Sequence, residues 1–419
     1  MNLASGYSSW IEPWYFAYAL QGAVVAGLIP IALPLVVGGG GHPARVGLVM
    51  AAFSLGGLSA PAWGTLADRY RLHRSLLAGG LLVVSAGLAL FALLPSPSIR
   101  LALALGFGVA AAASATVANL FVVEVHPEPE WDERIGWLQT FYGGGQVVGL
   151  LLAGLLSLSH PVAGLAAGAL IAALAAAQGW CTTRTPAAPV SPAPVLLHPV
   201  RQCEASLLSP QRMFHYPDVQ ALAALGPVLR SPFGGFTVLW LVSFGGASAV
   251  FSLYPLLMKQ AFGVTPARSS AAFAVAATLG LLLYSPAGRW ATRVGSLRVL
   301  RAGLVARLIA LAALVALGWT PGLAGRDYLA MGCFVLIVLA WSPLAVAGTA
   351  MAAELSPVGK GAGLGLFNAA SAVAGVLGAA AGGWVASLWG YDATVMLALA
   401  GVALGLALAV AARPVRQES

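Results

Sequence analysis

One segment of the chain carries side chains that could form a reversible ion pair. Residues 64–74 read GTLADRYRLHR and lie between two long apolar stretches. Gly64 begins the segment, Asp68 is followed by Arg69, and Arg74 ends it. A carboxylate can pair with an arginine or with the positive end of a helix dipole, and such a contact can be broken again. We therefore expect a conformational latch here and not a catalytic site.

A second segment repeats this frame in the other half of the chain. Residues 288–298 read GRWATRVGSLR, so Gly288, Arg293 and Arg298 extend the candidate latch to a second position. Thr292 stands where the first segment has its aspartate, so we expect no acidic latch in the second copy. The repeat indicates that the chain contains two copies of one unit.

Few acidic side chains are available to carry a coupled proton. The chain has 13 Asp and Glu residues, and by position they fall in loops or near the ends of apolar stretches. A proton-coupled carrier commonly uses a buried group that titrates in the physiological range. The candidates for proton coupling are Glu12, Asp68, Glu124 and Glu354.

The sequence lacks the common motifs of catalysis. It contains no His-Glu-x-x-His zinc motif, no Gly-x-Ser-x-Gly nucleophile motif and no phosphate-binding loop ending in Gly-Lys-Ser/Thr. Cys181, Cys203 and Cys333 are too widely spaced to indicate a metal cluster or a disulfide framework. We therefore expect no enzyme activity, no cofactor and no metal.

Composition defines the elements that must position these groups. Of the 419 residues, 59% are hydrophobic and 8% are charged, and the mean hydropathy is +0.88. These values exclude an ordinary soluble domain. A bilayer core requires about 20 apolar residues per helix, and the sequence offers about twelve such stretches. They are residues 13–36, 45–63, 75–95, 100–124, 135–158, 161–180, 234–258, 269–287, 299–318, 328–351, 361–387 and 391–412.

The charge distribution predicts orientation. The net charge is +8, and most of the 21 Lys and Arg residues fall on one side of the predicted helices. The positive-inside rule places that side, with both termini, in the cytoplasm. We expect a multi-pass protein of the cytoplasmic (inner) membrane whose partners are the lipid bilayer and a small molecule. The basic balance does not indicate nucleic acid.

The repeat and the proline content divide the chain into three parts. We predict a six-helix bundle over residues 1–180, a Pro-rich cytoplasmic linker over 181–233 and a second six-helix bundle over 234–419. The predicted fold class is an all-α polytopic membrane protein with about 12 transmembrane helices in two pseudo-symmetric bundles. We expect it to be a monomer.

The first charged segment resembles the signature that joins the second and third helices of the major facilitator superfamily. A Gly, an Asp followed by Arg, and a trailing basic residue recur there, and Gly64, Asp68, Arg69 and Arg74 match them. The resemblance implies two bundles around a central cavity. It also implies that the Asp and Arg stabilise the state that is closed on the cytoplasmic side. Leu150 replaces the proline that follows the second glycine in exporters of the family, so the export signature is incomplete.

Neutral polar and aromatic side chains within the apolar stretches are candidates for the cavity wall. Their chemistry favours a substrate held by stacking and a few neutral hydrogen bonds. Ordinary helix packing is the alternative for each of them. They are Gln21, Asn119, Tyr142, Gln146, Phe244, Tyr254, Trp341 and Asn368. Trp14 is expected instead in an interfacial aromatic belt.

Arg307 is the exception to the uncharged interior. It falls near the middle of the ninth predicted helix, where an unpaired charge is costly and indicates function. It is a candidate substrate or counter-ion site. The alternative is that its side chain extends to the membrane interface beside Arg301.

Three functions remain open at this stage. The favoured one is a secondary transporter that exports an uncharged or amphipathic small molecule by alternating access, with protons as the candidate coupling ion. The second is an uptake facilitator or symporter for a sugar or another nutrient. The third is a membrane sensor that shares the fold and does not transport.

Overall fold

A computed structural model describes residues 11–70, 72–127, 130–157, 160–183, 230–357 and 360–412, and within these ranges the chain is helical with no strand. We number twelve long helices in chain order. They are α1 (Tyr15–Gly22, a π-helical turn Ala23–Leu28, and Ile29–Gly38), α2 (Pro43–Leu55, a 3-10 turn Gly56–Ser59, and Ala60–Tyr70), α3 (His73–Leu93), α4 (Pro97–Val125), α5 (Trp131–Leu156), α6 (Pro161–Thr182), α7 (Pro232–Phe262), α8 (Pro266–Val294), α9 (Ser296–Gly318), α10 (Arg326–Leu339 and Trp341–Leu355), α11 (Lys360–Trp389) and α12 (Tyr391–Ala411).

The described helices confirm the predicted all-α membrane fold. Eleven helices are long and apolar enough to cross a membrane. The remaining one, α5, is long enough but begins with the polar sequence Trp-Asp-Glu-Arg. Most of the predicted linker lies outside the described residues, so residues 181–233 remain a prediction as a linker.

The two charged segments are more helical than expected. The first was predicted as a loop, but α2 continues through it to Tyr70. The second begins in α8, which ends at Val294 before Gly295 adopts a positive φ of 91°, and it continues into the first turn of α9 from Ser296. Both latch segments are therefore helix ends followed by very short turns.

Each half of the chain packs into its own bundle. In the first half α3 packs against α4 and α6, and α1 packs against α5; in the second, α7 packs against α11 and α12, and α9 against α12 and α10. The π-helical turn of α1 lies against glycines of α5. A Cβ at Gly145 or Gly149 would overlap the backbone carbonyl of Ala19 or Ala23. These glycines therefore allow two backbones to touch.

The two halves meet through four helix pairs, which are α1 with α7, α2 with α7, α2 with α11 and α5 with α8. We call the end of the molecule with Glu12 and Ala411 the terminal end, and the end with Gly38 and Pro43 the distal end. The contacts between halves begin at the distal end. A Cβ at Gly47 of α2 would overlap the Ala379 carbonyl of α11. A Cβ at Gly154 of α5 would be 3.1 Å from the Ser270 Cβ of α8.

The two halves separate towards the terminal end. One apolar core contains residues of both halves, such as Leu28 and Leu253, whereas a second core near the terminal end contains only residues of the first half, such as Trp14 and Phe121. In α8, five consecutive residues, 282–286, are exposed. A helix exposed at five consecutive positions is only loosely packed there. The described residues therefore enclose a cleft that is closed at the distal end and open at the terminal end.

Candidate functional site

Helical register identifies the side chains that face this cleft. Gly143 of α5 lies against Leu281 of α8. If Gly143 carried a Cβ, that atom would be 2.6 Å from the Leu281 Cδ2. Residues three and four positions away share the same helix face. One turn nearer the terminal end, that face carries Gln139 on α5 and Tyr284 on α8, and both side chains are exposed. These two residues therefore lie on opposite walls of the cleft.

The wall formed by the first half is polar. The Gln139 amide donates to the Asn119 Oδ1 at 3.2 Å, and the Asn119 amide donates to the Ala115 carbonyl at 2.8 Å. The Tyr18 hydroxyl lies within hydrogen-bonding reach of both Asn119 and Gln139. Tyr142 packs on the Tyr18 ring, with centroids 4.9 Å apart. Helices α1, α4 and α5 thus present two amides and a phenol at one place.

The wall formed by the second half is aromatic. Phe244 stacks on Trp240 at 5.8 Å and contacts Trp341 at 5.3 Å between ring centroids. Behind them Trp240 packs on Phe367 at 4.7 Å. The Trp240 Nε1 donates to the Ser371 Oγ at 2.8 Å, which holds the indole in one orientation. The rings run from the buried Trp240 to the partly exposed Phe244 and Trp341.

A break in α10 positions Trp341. The helix is interrupted at Ala340, and Trp341 begins its second segment. Directly after it, the Ser342 hydroxyl donates to the Gly280 carbonyl of α8 at 2.8 Å. Tyr284, one turn further along α8, lies within hydrogen-bonding reach of Trp341. The aromatic wall is therefore fixed to the helix that borders the cleft.

Two candidate cavity residues lie in the core instead. Tyr254 is fully buried, donates to the Ser269 carbonyl at 2.8 Å and stacks on Phe334. Gln21 is 1% exposed and donates to the Ala111 carbonyl at 3.1 Å, so it joins α1 to α4. Neither faces the cleft in this conformation, because both side chains are buried. The Gln21 Oε1 has no hydrogen-bond partner among the described residues.

The remaining cavity candidates differ in exposure. Asn368 is exposed on α11, two turns from Gly375, whose face meets Ser54 of α2. It therefore borders the cleft on the side of α2. Gln146 is partly buried on α5.

Arg307 is buried at the middle of α9, where its side chain is 2% exposed. One Nη donates to the Ile337 carbonyl at 3.4 Å, and the guanidinium carbon lies 6.0 Å from the Trp341 ring centroid. Its Nε has no hydrogen-bond partner among the described residues. The alternative of an interfacial side chain beside Arg301 is wrong, because Arg307 stays in the core.

Glu12 belongs to a charged cluster at the terminal end. Its carboxylate accepts from the Trp14 Nε1 at 2.7 Å and from Arg134 at 3.3 Å, and the His126 Nε2 lies 2.5 Å away in a contact not aligned as a hydrogen bond. Arg134 also pairs with Glu130 at 2.8 Å. This network joins α1, α4 and α5. The sequence had predicted Trp14 in an interfacial belt. That prediction is wrong, because Trp14 is 1% exposed and packs on Phe121 of α4.

The structure describes only part of the candidate latch and coupling groups. The side chains of Asp68, Arg69 and Glu124 lie outside the described residues, although their backbones are helical. Glu354 is exposed and accepts from the Ser296 hydroxyl at 3.2 Å. Arg74 lies over the Trp180 ring at 4.1 Å.

The other latch residues are at helix ends of the terminal side. Gly64 is buried in α2, Gly288 is partly buried in α8, and Arg293 and Arg298 are exposed. The Ala60–Tyr70 segment packs against α4 and α3 of its own half.

Sequence reasoning missed Tyr18, Gln139, Tyr284 and Trp240. The signal that could have found Gln139 and Tyr284 is their spacing from residues at the contact between halves. Within the described residues no group of His, Cys, Asp and Glu side chains could hold a metal ion.

The sequence matches the Major Facilitator Superfamily over residues 14–320 and 235–419. The chain therefore belongs to this family of membrane transporters. No curated protein matches the sequence.

Solved structures of transporters share the fold. The nucleoside transporter NupG is 13% identical with a TM-score of 0.71, covering 95% of this chain and 96% of its own. A bacterial homologue of the human lysosomal transporter Spinster, inward-facing and occupied, is 15% identical with a TM-score of 0.70 and 95% coverage of both chains. A D-xylose–proton symporter is 13% identical with a TM-score of 0.68, covering 94% of this chain and 95% of its own. At these identities the likeness shows the fold.

Proposed function

We propose that the protein is a secondary transporter that moves an uncharged or amphipathic small molecule by alternating access. The observation that carries this proposal is the cleft, in which a wall of neutral amides, supported by the buried Tyr18 phenol, faces a wall of aromatic rings. Amides recognise neutral donors and acceptors, and rings bind planar or apolar surface. Of the described side chains named on these two walls, none is charged.

We propose export as the direction. The positive-inside rule places the terminal end in the cytoplasm, so the open cleft would load its substrate from that side. The Spinster homologue with a similar fold is described as inward-facing. The protein would act as a monomer in the cytoplasmic membrane and would have no enzyme activity.

The latch is proposed to act when the terminal end closes. The Asp68 carboxylate, flanked by Arg69 and Arg74, then meets Arg293 or Arg298 on the helix ends that follow Gly288 in the other half. Opening the terminal end would break these contacts. Glu12, Asp68, Glu124 and Glu354 remain the proposed carriers of a coupled proton.

Reconstitution tests the function. Purified protein in liposomes should exchange a radiolabelled substrate for unlabelled substrate from a panel of amphipathic drugs, nucleosides and neutral sugars, each with and without a pH gradient. Counterflow above protein-free liposomes establishes transport, and acceleration by the gradient establishes proton coupling. Absence of flux across the whole panel would contradict the proposal for these classes.

Uptake of a nutrient is the second candidate. The neutral amides of the polar wall would suit sugar hydroxyl groups, and two solved structures with this fold are described as nucleoside and D-xylose carriers. Right-side-out and inside-out vesicles distinguish the two directions. Binding of a ligand without flux would favour the third possibility, a nontransporting sensor.

A further inference from the structure

We propose that Arg307 forms an anion-binding site between α9 and α10, which takes a monovalent anion such as chloride or a carboxylate group. Nothing in the transport proposal requires this site, and it can be tested without knowing the substrate. The argument rests on the charge, the burial and the unused hydrogen-bond donors of one side chain.

The charge of Arg307 is not compensated by the described part of the chain. An arginine remains protonated and presents five N–H donors. Here one Nη makes a long bond of 3.4 Å to the Ile337 carbonyl, and the buried Nε has no described partner. A buried charge without a counter-charge costs several kcal/mol, so proteins compensate such groups.

Described carboxylates of the second half lie too far away to compensate it. Asp327, at the start of α10, pairs with Arg268 at 3.0 Å. Glu354 contacts Ser296 at one end of α9, and Asp392 lies beside Gly318 at the other end. At 1.5 Å per residue, Arg307 is about 16 Å along the helix from each of these ends. No carboxylate of the described residues pairs with Arg307.

The surroundings of Arg307 favour a small anion. Ile337 lies in the last turn of the first α10 segment, where helix carbonyls lose their intrahelical donors, and one of these carbonyls receives the Arg307 bond. The Trp341 ring covers one side of the guanidinium. The donors that remain can be satisfied by one halide or one carboxylate. Because Trp341 also belongs to the aromatic wall, the anion would influence the orientation of that wall.

Salt substitution tests the site. In the first measurement, the unfolding temperature of the full-length protein in detergent is recorded as sodium chloride replaces sodium gluconate at constant ionic strength. In the second, the tryptophan emission of the folded protein is recorded with sodium iodide as a quencher. We expect a saturable rise in unfolding temperature with chloride, and saturable iodide quenching of a component that Trp341→Phe removes.

Matched variants assign the effect to Arg307. Arg307→Gln should weaken the chloride response about tenfold or more, since the counter-charge is lost. Arg301→Gln on the same helix, whose guanidinium donates to the Ala409 and Ala412 carbonyls, should keep the response even if its starting temperature is lower. If Arg307→Gln does not fold, Arg307→Lys keeps the charge without the planar fork and should change the order of preference among halides.

The source of the anion is distinguished with benzoate. A chloride response that needs Arg307 identifies a free anion from solution. A response to benzoate but not to chloride, lost in Arg307→Gln, identifies a carboxylate carried by an organic ligand. Identical curves in every salt for the wild-type protein would overturn the site and leave the transport proposal untouched.

Discussion

At the scale of single residues, the proposed recognition of a neutral substrate depends on two side-chain amides, Gln139 and Asn119, that are hydrogen-bonded to each other. Gln139 donates to Asn119, and Asn119 donates to its own helix, so the pair keeps a fixed direction with unused donors and acceptors. Tyr18 supports both from below. A preorganised pair of this kind loses little conformational entropy when a neutral ligand binds.

We expect Gln139→Ala to raise the KM for transport about three- to tenfold with little change in maximal rate, which corresponds to one neutral hydrogen bond. Initial rates of uptake into proteoliposomes measure this. Gln178→Ala is the control, because Gln178 is partly buried on α6 and its side chain donates to the Pro13 carbonyl, away from the cleft walls. An unchanged KM in Gln139→Ala would remove this residue from the site.

Glu12 stabilises the first bundle, because its carboxylate contacts Trp14, His126 and Arg134 at the ends of α1, α4 and α5. Glu12→Gln should lower the free energy of unfolding by about 1–2 kcal/mol, because the charge-assisted bonds to Trp14 and Arg134 weaken. Thermal unfolding in detergent tests this. Glu133→Gln, at an exposed position of α5, should unfold at the same temperature as the wild-type protein. Equal stability of both variants would show that the network contributes nothing.

At the scale of elements, helix breaks and close helix contacts arrange the walls. The break at Ala340 turns Trp341 towards Phe244, and the π-helical turn of α1 lies against the glycines of α5. Both features are local departures from a regular helix, and such departures are frequent at functional positions.

Gly149→Ala should destabilise the first bundle, since its Cβ would overlap the Ala23 carbonyl. Overpacking of this kind costs about 1–3 kcal/mol. Gly144→Ala on the same helix faces open space, and it should be neutral or slightly stabilising because alanine favours helix. Size-exclusion profiles after heating compare the two. Equal profiles would mean that α1 moves aside without cost.

Asp68→Asn addresses the latch. We expect slower transport by a folded and inserted protein, because a neutral amide pairs less well with the arginines of the opposite half. Asp392→Asn, near the distal end of α9, is the control for the removal of one charge. Normal transport by correctly inserted Asp68→Asn would contradict the latch.

At the scale of the whole molecule, the sequence predicted the helices well because each must present about 20 apolar residues to the bilayer. It also listed Asn119, Tyr142, Phe244 and Trp341 as candidates, and the structure brings these four to the two walls, where their contact with a substrate stays a prediction. It could not distinguish these from Tyr254 or Gln21. All are polar or aromatic residues within apolar helices, and the face each occupies depends on contacts with other helices. Trp14 was misplaced for the same reason, since its ring packs on Phe121 of α4, a contact that only the fold creates.

The protein should exchange between a state that is open at the terminal end and a state that is open at the distal end. The distal contact between the halves should control this equilibrium. Gly47→Ala would push α2 away from Ala379 and Gly383, so we expect a shift towards the state that is open at the distal end. In a background without native cysteines, labelling of Ser285→Cys by an impermeant maleimide from the terminal side should then slow. Gly79→Ala, which meets open space on α3, should label at the original rate. Unchanged labelling in Gly47→Ala would show that this contact does not control the equilibrium.

The distal contact is made of backbone against backbone, and among the described residues no ion pair joins the two halves. The stability of a contact without charges changes little with salt concentration or membrane voltage. Its separation changes the width of the protein within the bilayer. The rate of opening at that end should therefore follow the lateral pressure and thickness of the lipid, so that the membrane acts mechanically on the distal gate, which is electrically neutral.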